Sequence, residues 1–311
     1  MSRRSLQLTT ALATAVLCAG LFTGISAAST SPSVTKSFQS PGSATQIRKL
    51  VAASSKITSL TTQTRAQVAS PQAAWMKYDV ANGCSTASQC VFGDTKSRKT
   101  VVMFGDSHAI MWLPAMDWIA KADKLRLVLL SAGNCPAIAN VAGTNVLNKN
   151  CAAFHTSSIR IINSLHPIAV VISELTVSSA IKHSDGTRIT ESEWQAGLTT
   201  TIKEFKSKVA LIEDVVYFDI PVPICLAANV SNVQACSVHA PNPKNPGQQA
   251  AEQAAAKATG ATFVKTWPWF CTTTCSPIVG NTMTYFDWDH ITTGYSAYLS
   301  KVLRSALAKV L

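Results

Sequence analysis

The chain has 311 residues, 47% of them hydrophobic and only 14% charged, and Lys plus Arg outnumber Asp plus Glu by 27 to 16 for a formal charge of +11. Such a length holds one sizeable α/β domain or two small ones, and one is expected. The charge is spread thinly, with no basic cluster longer than "KSRK" (Lys96 to Lys99) and no aromatic residues interleaved with bases, which argues against a nucleic-acid partner.

The first 28 residues carry Arg3, Arg4, an apolar stretch and small residues at Ser26 and Ala28, the pattern of an export signal cleaved after Ala28. "SRRSL" also offers the arginine pair of a twin-arginine signal, supported only by that pair and Leu6. Leu17 stands before Cys18 where a lipoprotein would have a small residue. Cleavage would remove Arg3 and Arg4, leaving a formal charge of +9, and would leave no apolar run of the roughly 20 residues that span a bilayer. The location expected is outside the cytosol: extracellular, periplasmic or associated with the cell envelope. A basic surface there suits anionic wall polymers or lipid headgroups, or has no charge-specific partner at all.

Eight cysteines would remain: Cys84, Cys90, Cys135, Cys151, Cys225, Cys236, Cys271 and Cys275. An even number fits disulfides in an oxidising compartment. Pairing nearest neighbours, 84 with 90, 135 with 151, 225 with 236 and 271 with 275, would staple four loops. Eight cysteines permit about a hundred pairings, so connectivity stays open. "CTTTC" is loose for zinc and has no second ligand pair near it, and no metal or cofactor is expected.

Residues 29–77 read as a Ser/Thr/Pro-rich flexible leader followed by one or two modest helices, with apolar Ile47, Leu50, Val51, Ile57 and Leu60. From Tyr78 a disulfide-pinned loop leads to a buried strand at Val101 to Phe104, which stops at Gly105-Asp106-Ser107 before a helix. Further strands are expected at 125–132, ending in "GNCP", at 168–175, at 208–218 and at 261–266. Between them, Thr190 and Glu193 form a capping box for a helix carrying Trp194, Leu198, Ile202 and Phe205 on one face. Asn245, Pro246 and Gly260 delimit another. A last helix shows Tyr295, Tyr298, Leu299, Val302, Leu303 and Ala306 along one stripe. Strands alternating with amphipathic helices predict a parallel sheet covered on both faces.

A serine where a buried strand hands over to a helix faces the crevice in which α/β proteins bind ligands. A nucleophilic Ser107 needs a base and a group to orient it. Of six histidines only His290 has a suggestive setting, "YFDWDHITTG", where Asp287 could fold back onto one ring nitrogen and leave the other for the serine. Asp289 is the rival orienter. Taken alone, "DWDH" also reads as a surface loop before a helix. His108 could line the pocket or play a structural part, and Asp106 fixes the turn. Glu174 and Asp214 end two strands and could touch a polar substrate or bond loop amides. Trp267 and Trp269 could stack on a sugar or pack beside a disulfide.

"FGDSHA" after the first strand and "DWDH" before the last helix, together with "GCSTASQCVFGD", "SAGNCP" and "WFCTTTCSPIVGNTMTYFDWDHIT", resemble the SGNH (GDSL-like) hydrolases. The resemblance is closest to the SGNH domain usually fused to membrane acyltransferases of the acyltransferase-3 type, and it spans about residues 78 to 308. It implies a three-layer α/β/α flavodoxin-like fold over residues 78–311. It also implies Ser107 as nucleophile, His290 as base and then acid, and Asp287 as orienter. The wider superfamily adds a glycine after the second strand and an asparagine after the third to the serine's own amide as oxyanion donors. Gly133 stands in the first place, but "SELTVSS" lacks the asparagine block, as the acyltransferase-linked domains commonly do. Loss of one such donor costs about a hundredfold or more in a hydrolase. Asn134 is the candidate substitute, its structural alternative being to shape the turn before Cys135 and Pro136.

The activity implied is acyl-ester hydrolysis or O-acetyl transfer on a carbohydrate or cell-envelope glycan. A separate membrane acyltransferase could serve as acyl donor. The rival class is a glycan-binding or accessory module that keeps the fold without turnover, for which the missing asparagine speaks. A lipase-like or thioesterase activity has less behind it, since no long apolar loop suggests a lipid cleft.

Overall fold

Six strands form the central sheet in the order β1-β3-β2-β4-β5-β7. They are β1 (Val91–Gly93), β2 (Thr100–Gly105), β3 (Arg126–Ser131), β4 (Ala169–Ser173), β5 (Lys208–Ile212) and β7 (Thr262–Val264). The structure, a computed structural model, describes residues 40–71, 84–138, 150–176, 183, 187–239 and 246–311. The export signal, the start of the leader and the Asn245 cap lie outside the described residues. All pairings in the sheet are parallel except that of β1, which runs antiparallel to β3. Four short strands, β6 (Val238–His239), β8 (Thr274–Cys275) with which it pairs, and the β9–β10 hairpin (Ile278–Val279 and Thr282–Met283), lie outside it.

Every residue of β2 is buried, because the sheet is covered on both faces. Alternate side chains enter alternate cores. Val101 and Met103 pack with α3 (Ser107–Ala122), α8 (Thr293–Tyr298) and α9 (Ser300–Leu307), whereas Val102 and Phe104 pack with α4 (Cys151–Leu165), α5 (Glu191–Glu204) and α7 (Pro246–Thr259). This is the expected α/β/α arrangement with a flavodoxin-like order of its parallel strands.

The chain passes from β2 to β3 on one side and then returns to β4 on the other. The carboxyl end of β2 is therefore the switch point where a crevice opens. How β2 ends is set by Gly105, whose φ of 150° brings its backbone against β4; a Cβ there would lie 1.9 Å from the Ser173 carbonyl oxygen. Asp106 then caps α3 and accepts from the His108 amide at 2.8 Å.

Several expectations need adjusting. The edge strand β1 lies inside the stretch read as a loop, and α4 and the short α6 (Val222–Ala228) were not anticipated. The strand read as 208–218 stops at Ile212, and residues 213–218 run on as buried non-strand backbone. Burial on both sides of that segment explains its strand-like apolar sequence. The last helix divides at Leu299. The leader helices α1 (Ala44–Ser54) and α2 (Thr62–Ala69) are real, and Ile47, Val51 and Leu60 are buried in the α3 core, so the folded unit extends upstream of residue 78. Residues from 40 onward belong to one compact unit. Among the described residues no helix is long and apolar enough to cross a membrane.

All four disulfides join nearest neighbours: Cys84–Cys90, Cys135–Cys151, Cys225–Cys236 and Cys271–Cys275. The last bond removes the thiolates a zinc ion would need.

Gly105→Ala is expected to cost at least about 2 kcal/mol through the collision with Ser173. Gly133→Ala, whose new Cβ meets nothing within 4 Å, should leave stability unchanged. Denaturant unfolding of the two variants beside the wild type checks both.

Candidate active site

The serine is reached from two directions. From the sheet, Gly105 and Asp106 deliver Ser107 as the first residue of α3, where its amide has no carbonyl one turn back to bond. Asp106 also accepts the Leu175 amide at 2.9 Å, tying the turn to the strand next door. From the other side comes the loop before α8. Its Asp287 Oδ1 accepts the amides of Asp289 at 3.0 Å and His290 at 2.7 Å, curling residues 287–290 back on themselves. That curl is anchored by the Phe218 amide to the Trp288 carbonyl at 2.8 Å and the Val222 amide to the Asp287 carbonyl at 3.0 Å.

The curl brings three side chains into line. His290 Nδ1 lies 2.8 Å from Asp287 Oδ2, and His290 Nε2 lies 2.9 Å from Ser107 Oγ. Asp289 Oδ1 also stands 2.9 Å from Nδ1, but its position makes no hydrogen bond, so of the two orienters Asp287 is the one engaged. Burial pushes the His290 imidazole down, yet the bond to Asp287 and the nearness of Asp289 outweigh it and raise it from 6.5 to about 9.

The other singled-out residues separate clearly. Gly133 is exposed in the turn beyond β3, whose Ser131 pairs with Gly105, and Asn134 holds that turn with a φ of 54°. Both lie at the end of the strand beside the serine. The left-handed backbone gives Asn134 the turn-shaping part. At the end of β4 the Leu175 amide is taken by Asp106 and the Thr176 amide by Asp214, so neither is free to serve an oxyanion.

Glu174 is fully buried and accepts from the Ala137 amide at 2.6 Å and the Trp194 indole at 3.0 Å. Burial, with Asp106 nearby, raises it to about 8. Asp214 likewise bonds the Thr176 and Val215 amides, so the amide-binding alternative holds for both acids. Trp269 is buried edge-on against Trp112 in the core, the packing alternative, and Trp267 is half-buried with its amide on Glu213.

Sequence reasoning missed the polar floor of the site. Tyr217 and Thr176 converge on Asp214, and Glu252 of α7 accepts the Asp214 amide at 3.4 Å. The spacing signal was slight: His108 directly follows the serine, which on a helix turns its side chain about 100° away into the protein.

The geometry agrees with what comparison finds. A family model described as "SGNH domain (fused to AT3 domains)" matches residues 77–305. No curated protein matches significantly. Among solved structures, the periplasmic domain of a lipopolysaccharide acetyltransferase from Salmonella ser. Paratyphi A is similar at 16% identity and a TM-score of 0.55, covering 69% of this chain and 85% of that one. A carbohydrate acetylesterase from Sinorhizobium meliloti aligns at 13% identity and a TM-score of 0.47, covering 68% of this chain and 100% of that one. A GDSL-like lipase from Bacteroides thetaiotaomicron aligns at 16% and 0.41, covering 69% and 90%. Sheet order, the serine after β2, the aspartate and histidine before α8 and the match over residues 77–305 converge: the chain belongs to the family of SGNH domains found fused to AT3 domains.

Proposed function

We propose that the protein is an exported, serine-dependent acyl-ester hydrolase or O-acetyltransferase acting on a carbohydrate or cell-envelope glycan. The observation that carries this reading is the run of contacts from Asp287 through His290 to Ser107, at 2.8 and 2.9 Å. In the first half-reaction His290 Nε2 takes the Ser107 proton as Oγ bonds to the ester carbonyl carbon. The tetrahedral oxyanion is met by the Ser107 amide and by the turn that carries Gly133, which Asn134 shapes. Collapse expels the alcohol, which receives the proton back from His290, and leaves an acyl-serine. A second hydroxyl then loses its proton to His290 and attacks the acyl carbon, and the acyl bond to Ser107 Oγ breaks as His290 returns the proton to it.

Water as the second hydroxyl makes the protein an esterase, and a sugar hydroxyl makes it a transferase. In the transferase case the acyl group comes from a separate membrane acyltransferase. Export is supported by four disulfides. A sugar ring has an exposed aromatic neighbour in Trp288, between the two aspartates of the triad loop, with 52% of its surface open. The non-catalytic alternative, a glycan-binding module, draws on the committed amides of Leu175 and Thr176.

Exposed to a fluorophosphonate, the purified wild type should gain one adduct by intact mass. Ser107→Ala should gain none, and His290→Ala should react at least about a hundredfold more slowly. No adduct on folded, oxidised wild type would favour the binding module.

The labelling rate should rise about tenfold per pH unit towards a plateau near 9, because only neutral His290 accepts the serine proton. Stability should move the other way. His290 is raised above its unfolded value, so its contribution is complete below pH 6.5 and is lost as pH climbs through about 9. Glu174 acts in the same sense up to about 8. Melting curves between pH 6.5 and 9 should therefore fall, and fall less in His290→Gln.

Trp288→Ala should weaken turnover of acetylated oligosaccharides several-fold through KM while leaving p-nitrophenyl acetate hydrolysis within about twofold. Equal losses on both esters would remove Trp288 from glycan contact.

A further inference from the structure

Behind the triad lies a second histidine–aspartate pair that acyl transfer leaves without a task. His108 has no exposed surface, and its Nδ1 stands 2.5 Å from Oδ1 of the equally buried Asp214. Both oxygens of Asp214 act as acceptors. Oδ1 takes the Val215 amide at 2.8 Å, and Oδ2 takes the Thr176 amide and hydroxyl, each at 2.8 Å, and the Tyr217 hydroxyl. Backbone amides only donate, so this is the bonding pattern of a carboxylate. A carboxylate removed from water requires a cation, and the ring beside it is His108.

The other edge of the same ring faces the triad. His108 Nε2 lies 3.9 Å from Asp289 Oδ2, and the His108 and His290 rings meet edge to face with centroids 5.0 Å apart. His108 Nε2 is buried and makes no hydrogen bond, and the charged group it faces is the Asp289 carboxylate, at ion-pair distance. Asp289, in turn, sits 2.9 Å from His290 Nδ1 as an ion-pair partner, while Asp287 makes the hydrogen bond to that nitrogen. The order Asp214, His108, Asp289, His290 thus alternates in charge across the floor of the site.

Resting on the acyl-transfer reading, we propose that His108 is a positioning residue: a permanent buried imidazolium, paired with Asp214, that holds Asp289 in place and offsets the negative charge of Asp287 and Asp289 around the catalytic base. Two carboxylates at one nitrogen of His290 hold its proton, and left uncompensated they would hold it more tightly and shrink the neutral fraction that acts as base. A cation 5 Å away in a poorly screened interior opposes that. The remaining groups around His108 are Asp106 before α3 and Tyr217 after β5, with Glu174 and Glu252 behind Asp214 and Tyr285 beyond. Burial raises Glu174 to about 8, pushes Glu252 well above its ordinary value and holds Tyr285 well above 10, which weakens the competing negative charge of all three. Burial opposes the charge on His108, but Asp214 outweighs it and lifts the ring well above 6.5. Burial would also raise Asp289, but His108 and His290 hold it well below the usual carboxylate range.

The test is a histidine side-chain nitrogen NMR titration of the resting protein from pH 5 to 10, with His108 assigned through its contacts to Tyr217. In the wild type His108 should be doubly protonated at pH 7 while His290 titrates near 9. In His108→Gln the His290 midpoint should rise by about one unit, and fluorophosphonate labelling at pH 7 should fall about tenfold and recover towards pH 10. Asp214→Asn should shift the midpoint in the same direction, and the double variant no further. Tyr217→Phe, which removes a bond to Asp214 without changing charge, should move it by less than about 0.3 unit. A neutral His108 at pH 7 in the wild type overturns the proposal even if no variant folds. So does an unmoved His290 midpoint in folded His108→Gln, or an equal shift in Tyr217→Phe. A Ser107 inert to the probe defeats the acyl-transfer reading instead, because the titration is read without turnover.

Discussion

The chain leaves β2 through a backbone that only glycine tolerates, and the site is built on that exit. Gly105 lies against the Ser173 carbonyl, and Asp106 then spends one oxygen on the helix it caps and the other on the Leu175 amide. The first helical residue faces the crevice and the second faces the protein, because successive side chains on a helix diverge by about 100°. Ser107 and His108 therefore serve opposite sides of one surface. The close approach of β2 and β4 makes Gly105 a requirement of packing as much as of conformation.

The interior beneath the serine is acidic. Asp106, Glu174, Asp214 and Glu252 have no exposed surface, and His108 is the basic group beside them. Unpaired, such charges would be expelled or neutralised. Here the distribution is graded: Asp214 is saturated with donors next to His108, while burial pushes Glu174 and Glu252 towards their neutral forms. The triad loop sits at the edge of this arrangement, partly open, with its two aspartates on one nitrogen of His290. Stability and base strength are consequently coupled through the same protons.

Much of the frame was legible in the sequence. Continuous apolar runs marked the parallel strands, and the capping box at Thr190 and Glu193 appears as read. Near-neighbour cysteine pairing held because each pair closes a short loop. What failed did so for identifiable reasons. Residues 213–218 are as apolar as a strand because they are buried, not because they pair. β1 is short and half-buried, so its alternation is too brief to notice. The leader helices gave weak periodicity, and only their packing against the α3 core shows that they belong to the domain.

Taken alone, the sequence determined the order of the parallel strands, the serine at a strand-to-helix turn and an aspartate three residues before a histidine, because these are local patterns of polarity and spacing. Tertiary structure decided which aspartate engages His290, where Asn134 falls, and that His108 of α3 is paired with a buried Asp214 from the segment after β5. The pairing of His108 with Asp214 joins residues 106 apart and that of His290 with Ser107 residues 183 apart, and the choice between Asp287 and Asp289 turns on the angles of a folded loop. No local pattern encodes them.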